Sequence, residues 1–205
     1  MSIGTDVHEE ATHQAGAAQR APARHTARWV GLGTLVIAAG LIAVLATRPS
    51  ALTVEAKNPL VDNHAVAPTI AGATVDGTAY RLAKAPGHYV VVNFFASWCV
   101  PCQEEGPQLV AFQFQHHQRG DASVLSVVFN DTAGAARDYQ AKLGVTWPTM
   151  ADVNGSTALA YGVRENPTSF VIAPDGRVVA SVLGGATVTG LDKIIARAEA
   201  AGYGI

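Results

Sequence analysis

Seven consecutive residues, Tyr89-Val90-Val91-Val92-Asn93-Phe94-Phe95, are aromatic or β-branched at every position but one. A run this short, apolar on both parities, is the pattern of a strand covered on both faces, and it commits the surrounding chain to a layered α/β core. Ala96-Ser97-Trp98 leads out of it into Cys99-Val100-Pro101-Cys102. A helix is predicted to follow from Val100 to His117, with Leu109, Phe112 and Phe114 available for its buried side.

Further alternation supports the layered reading. Thr74-Val75-Asp76-Gly77 marks a turn between two short strands, Asp-Gly being a strong hairpin signal. Ala122 to Phe129 reads as a second buried strand and Ala133 to Leu143 as a helix. Short segments lie around Trp147-Pro148 and Ala158, and two strands, Thr168–Ala173 and Arg177–Leu183, flank Pro174-Asp175-Gly176. A last helix, Leu191 to Ala201, carries Leu191, Ile194, Ile195 and Ala198 on one stripe. The order predicts a central mixed sheet, parallel at first and closed by an antiparallel hairpin, with helices over it.

From Trp29 to Thr47 no residue is charged. As a helix rising ~1.5 Å per residue this run is roughly 28 Å long, about the hydrocarbon thickness of a bilayer. It exceeds the ~7–15 apolar residues of a cleavable signal, and no small-x-small cleavage site follows it. A membrane anchor is therefore expected at 29–47, with 1–28 a disordered cytoplasmic tail, 48–66 a tether and 67–205 the globular domain. Arg20, Arg24 and Arg28 precede the run, against Arg48 and Lys57 after it, so the globular part is expected outside the cytoplasm. A cleaved signal would export it equally. The formal net charge of −2 offers no basic patch for nucleic acid, and no nucleic-acid partner is expected.

Cys99 and Cys102 are the only cysteines. A secreted disulfide scaffold needs more of them, at wider spacing. At a helix start, unpaired backbone N–H groups and the helix dipole favour an anion, which lowers a thiol pKa from ~8.5 toward neutrality. Cys102, three residues on, lies on the same face and within disulfide reach. Cys99 is thus expected as the exposed attacking sulfur and Cys102 as the deeper, resolving one. Pro101 is tolerated because the first turn uses no internal N–H. Glu105, one further turn along, should face the sulfurs and raise their pKa, while Glu104 should face solvent.

Other readings fit less well. Structural zinc needs about four Cys or His ligands, and adjacent His116 and His117 point in different directions. Covalent haem needs His after the second cysteine, where Gln103 stands. An inert buried pair conflicts with the strand-to-helix placement. No metal and no cofactor is expected. His116, His117 and Arg119 are read as a solvated helix end.

The segment VNFFASWCVPCQEEGPQL resembles the active-site segment of the TlpA/ResA/DsbE group, the membrane-tethered branch of the thioredoxin superfamily. Trp98, Cys99, Pro101, Cys102, Glu105 and Pro107 fit its pattern, as do Ala67-Pro68, the Asp76-Gly77 turn, Asn166-Pro167-Thr168-Ser169-Phe170 and Pro174-Asp175-Gly176. The resemblance implies a thioredoxin fold, a cis bond before Pro167, and proton handling by Glu105 where ordinary thioredoxins use a strand aspartate, here Asn93. It also implies that Trp98, Val100, Pro101, Asn166 and Pro167 contact substrate, the backbone of Asn166 pairing with an extended segment. Asn166 and Arg164-Glu165 depart from the residues usual in the group, which opens the question of substrate preference. The implied function is extracytoplasmic disulfide reduction, with apocytochrome c cysteines as substrate in cytochrome c maturation and a CcdA/DsbD-type membrane protein as electron donor. The reverse flow, an oxidase, is the alternative. A copper metallochaperone is the remaining one, although its relatives in this fold usually have three residues between the cysteines and a distant His.

Overall fold

The computed structural model describes residues 58–84 and 86–204, together with helical Ile37, Ala39 and Gly40. The expected tail, and all but those three residues of the expected membrane segment, lie outside the described residues. Among the described residues no helix is long and apolar enough to cross a membrane.

The domain runs α1 (Pro59–Asp62), β1 (Ala71–Ala73), β2 (Ala79–Arg81), β3 (Tyr89–Phe95), α2 (Val100–His117), β4 (Ala122–Val128), α3 (Ala133–Leu143), β5 (Thr149–Ala151), α4 (Ser156–Tyr161), β6 (Thr168–Ile172), β7 (Val178–Leu183) and α5 (Val188–Ala200). Five strands form one sheet in the order β5-β4-β3-β6-β7, with β1 and β2 paired separately. β3 is parallel to β4 and β4 to β5, whereas β6 and β7 are antiparallel additions.

β3 is buried along its whole length, as its composition requires. Its parity divides the core. Val90, Val92 and Phe94 pack with Leu125, Val127, Tyr161 and Phe170 on one face. Tyr89 and Val91 face the other way, onto Leu109 and Phe112 of α2 and Leu191, Ile195 and Ala198 of α5. Asn93 has the second parity, so its polar side chain is buried beneath α2.

Three expectations need correction. Phe114 is 70% exposed. The buried stripe of α2 is Glu105, Leu109, Phe112 and His116, and Phe114, two residues from both Phe112 and His116, falls on the opposite side. His116 is not a solvated end but is buried. Its Nδ1 lies 2.7 Å from Asp121 Oδ1 and its Nε2 2.9 Å from Asp192 Oδ1, while the ring packs on Phe112 with centroids 4.1 Å apart. With a carboxylate oxygen at hydrogen-bond distance from each ring nitrogen, the side chain ties α2 to α5 and to the loop before β4. The expected tether, finally, is part of the domain from residue 58. Asn58 caps α1 and donates from Nδ2 to Tyr161 O at 3.0 Å, Val61 is buried in the core, and Val178 N donates to Ala65 O. Its lack of periodicity hid this, because a single turn of helix has no period to show.

Replacing His116 by Ala leaves two carboxylates without their shared partner and a cavity over Phe112. His116→Ala should cost about 2–3 kcal/mol, discounted for the partial exposure of both carboxylates, and Asp192→Asn clearly less. Urea unfolding of the two variants against the parent protein checks the order.

Candidate active site

The site is built where β3 ends. Cys99 is the N-cap of α2, in extended conformation, and its sulfur accepts a hydrogen bond from Cys102 N at 3.3 Å. Cys99 and Cys102 form a disulfide, with Cα atoms 5.2 Å apart. The expected contrast between an exposed and a deep sulfur is slight: Cys99 is 5% and Cys102 3% exposed. What is exposed is the apolar surround, Trp98 and Val100, with Pro101 beside them. The ring of Trp98 is open to solvent, and its Nε1–H donates to Asn130 O at 3.1 Å.

The loop after β4 fixes this turn. Ser97 N donates to Asp131 Oδ2 at 2.7 Å, and Asn130 adopts a left-handed φ of 60° that an asparagine tolerates. On the helix, Tyr139 of α3 donates its hydroxyl to Cys102 O at 3.1 Å. Gly106 permits that approach, since a Cβ there would lie 2.5 Å from Tyr139 Oη and 2.6 Å from Leu143 Cδ1.

The Asn166–Pro167 bond is cis. Pro167 is buried, and its carbonyl accepts from Gly184 N at 2.9 Å. Asn166 reaches the other way, donating from Nδ2 to Phe129 O at 2.9 Å, and its Oδ1 is buried with no partner among the described residues. Its side chain is therefore committed to the loop after β4, in addition to the backbone role the sequence suggested.

Glu105 is the chemically distinctive group. It is only 2% exposed, whereas Glu104 is exposed. Its Oε2 accepts from Asn93 Nδ2 at 2.9 Å, and its Oε1 accepts from Ala186 N at 2.8 Å and faces Ser169 Oγ at 3.5 Å. Burial pushes its pKa up from 4.5 to about 7, against the lowering effect of the bonds from Ala186, Asn93 and Ser169. Sequence reading missed Ser169 and Ala186. Ser169 is the strand partner of Asn93 across β3 and β6, a neighbourhood that only the register of two distant segments creates.

Asn93 and Cys102 also line a cavity of about 20 Å³, together with Ser126, Tyr139 and Gln140. Among the described residues no group of three His, Cys, Asp or Glu side chains is placed to hold a metal ion.

A central mixed sheet, a helix that begins at a disulfide-forming pair three positions apart and a cis-proline loop define a thioredoxin-fold protein with a dithiol–disulfide redox centre. Comparison with known proteins agrees. The redoxin family model matches residues 61–195, and the chain belongs to that family. The thiol-disulfide oxidoreductase ResA of Bacillus subtilis (strain 168) is 31% identical over 118 residues, covering 58% of this chain and 65% of the relative. The chain thus spans about 65% of the length of that curated relative. Among solved structures, a thiol:disulfide interchange protein of the thioredoxin family from Chlorobium tepidum TLS superposes with a TM-score of 0.59 at 30% identity, covering 65% of this chain and 94% of that one. A DsbF homologue from Corynebacterium diphtheriae gives 0.56 at 25% identity, with coverages of 64% and 85%.

Between pH 4.5 and about 7 the folded chain holds a proton on Glu105 that the unfolded chain has lost. The stabilisation from keeping Glu105 neutral is full below that window and is lost as pH rises through it, a total on the order of 3 kcal/mol. Glu105→Gln should flatten this slope and be the more stable protein at pH 8; equilibrium urea unfolding at pH 5, 6.5 and 8 tests it.

Proposed function

We propose that the chain is an extracytoplasmic thiol–disulfide reductase, held to the membrane through residues 29–47. The observation that carries the reductive direction is Glu105, a carboxylate buried one helical turn from Cys102. A negative charge there disfavours a thiolate on either sulfur, so the reduced form is less stabilised and gives up its electrons more readily.

Reduction begins with the Cys99 thiolate. It attacks one sulfur of the substrate disulfide, forming a mixed disulfide and expelling the other substrate sulfur as a thiolate. The Cys102 thiol loses its proton and attacks Cys99 Sγ; the Cys99–Cys102 disulfide forms and the second substrate thiol leaves reduced. Two electrons pass from the protein to the substrate. The exposed apolar surround of Trp98 and Val100 suits a polypeptide substrate. Such a reductase, outside the cytoplasm, serves cysteines that must be free before a covalent attachment, and apocytochrome c before haem ligation is the substrate we assign. Re-reduction then falls to a membrane dithiol carrier of the CcdA/DsbD type.

One observation favours the opposite direction. Cys99 Sγ accepts a helix N-terminal N–H, which stabilises its thiolate and with it the reduced form, as a disulfide donor requires. The reduction potential of the Cys99–Cys102 couple in the full chain, equilibrated against glutathione or dithiothreitol, decides between them. A value near ~−270 mV supports the reductase, and one near ~−120 mV the donor. Cys102→Ser should accumulate a mixed disulfide through Cys99 with its substrate, which Cys99→Ser should not form. A reporter fusion at residue 205 that reads cytoplasmic would sink the assigned location.

A further inference from the structure

Asn93 has both hydrogens of its carboxamide committed. Nδ2 donates to Glu105 Oε2 at 2.9 Å and to Ser169 Oγ at 3.0 Å. Ser169, having accepted there, is left with one hydrogen, which faces Glu105 Oε1 at 3.5 Å; that oxygen also receives Ala186 N–H. Every hydrogen-bonding neighbour thus presents a donor, the arrangement of an ionised carboxylate.

A protonated Glu105 brings a hydrogen of its own. Ala186 N–H cannot accept it, and neither can Asn93 Nδ2. Ser169 Oγ, 3.5 Å from Oε1, could accept it only by turning its own hydrogen away, and at that distance the bond would be weak. A half-turn of the Asn93 carboxamide exchanges Nδ2 for Oδ1, a change of almost no volume in a close-packed site. Oδ1 then accepts from Glu105 and from Ser169 together. Nδ2 moves to the place Oδ1 held. Glu105 and Ser169 are not among the walls of the small cavity that Asn93 shares with Cys102, so the face of Asn93 turned to that cavity is the one away from them.

We propose that the Asn93 carboxamide turns over when Glu105 takes up a proton, presenting an N–H donor to the Cys102 side of the site. Asn93 is then a positioning residue. It matches each charge state of Glu105 with the complementary group and follows the negative charge to the sulfur. In turnover the proton comes from Cys102: its S–H bond breaks, an O–H bond forms on Glu105, and the charge passes from carboxylate to thiolate with no electron transferred. The inference rests on the reading of Cys99 and Cys102 as a working redox pair.

The groups facing Glu105 are Asn93 from β3, Ser169 from β6 and Ala186 from the loop before α5; Tyr139 of α3 feels its charge, and Cys102 lies one turn earlier on the same helix. Tyr139 has its phenol pKa raised, first by burial and then by the charge on Glu105. Since burial holds Glu105 at about 7, both of its states are populated near neutrality.

Nuclear magnetic resonance of the oxidised full chain, labelled with ¹⁵N-asparagine and followed from acid to alkaline pH, reads the orientation directly. The Asn93 side-chain signal is the one lost in Asn93→Leu, or in Asn93→Ser should the former not fold. Its Nδ2 hydrogens should show Overhauser contacts to the Ser169 Cβ hydrogens above the titration midpoint of the Glu105 carboxyl carbon and lose them below it. In Glu105→Gln, whose amide donates as the acid does, those contacts should be absent at every pH. Contacts that persist through the midpoint, or that remain in Glu105→Gln, overturn the flip. Failure of the redox reading shows separately, as an inability of the reduced chain to cleave an insulin disulfide, and leaves the resonance result unchanged.

Discussion

Strand Tyr89–Phe95 is paired on both edges and covered on both faces, and each part of the site is hung from it. Its C-terminal end delivers the chain to the Cys99 turn. Its neighbour β6 begins one residue after cis Pro167, and its single polar residue, Asn93, holds the carboxylate of the helix above. A strand so enclosed has no slack in register, because a slip of one residue would exchange the two core faces and put Asn93 among Leu125, Tyr161 and Phe170.

Two electrostatic effects of opposite sign act on the redox pair. The N-terminus of α2 supplies an N–H to Cys99 Sγ and favours a thiolate. Glu105, buried and surrounded by three donors, opposes it whenever ionised. Dipole stabilisation is fixed by the backbone, whereas the carboxylate can be neutralised near pH 7. On the reading proposed above, one proton on Glu105 shifts the balance between the sulfurs' two charge states.

The loops around the pair are held from several sides. Ser97 and Trp98 both bond to the Asn130-Asp131 loop, Asn166 bonds to Phe129 just before it, and Gly184 ties the carbonyl of Pro167 to the loop that supplies Ala186 to Glu105. These are short connections between segments far apart in sequence. They preorganise the site around the disulfide, and at Asn166 they leave a buried Oδ1 unpartnered.

The amino-acid sequence determined the elements and the chemistry. The extents of β3, α2 and α3 were legible to the residue, because long stretches with strong local pattern and a cap at each end define themselves. The cysteine pair, its helix-start placement and the choice of Glu105 over Glu104 as the inward-facing carboxylate followed from spacing alone. What only the tertiary structure decided lies where one segment meets another. The burial of His116 depends on Asp121 and Asp192, the packing of residues 58–66 depends on Tyr161 and β7, and the environment of Glu105 depends on Asn93, Ser169 and Ala186. None of these partners is implied by local periodicity. Desolvation and hydrogen bonding are properties of a neighbourhood, and a linear pattern fixes which face a residue takes but not who meets it there.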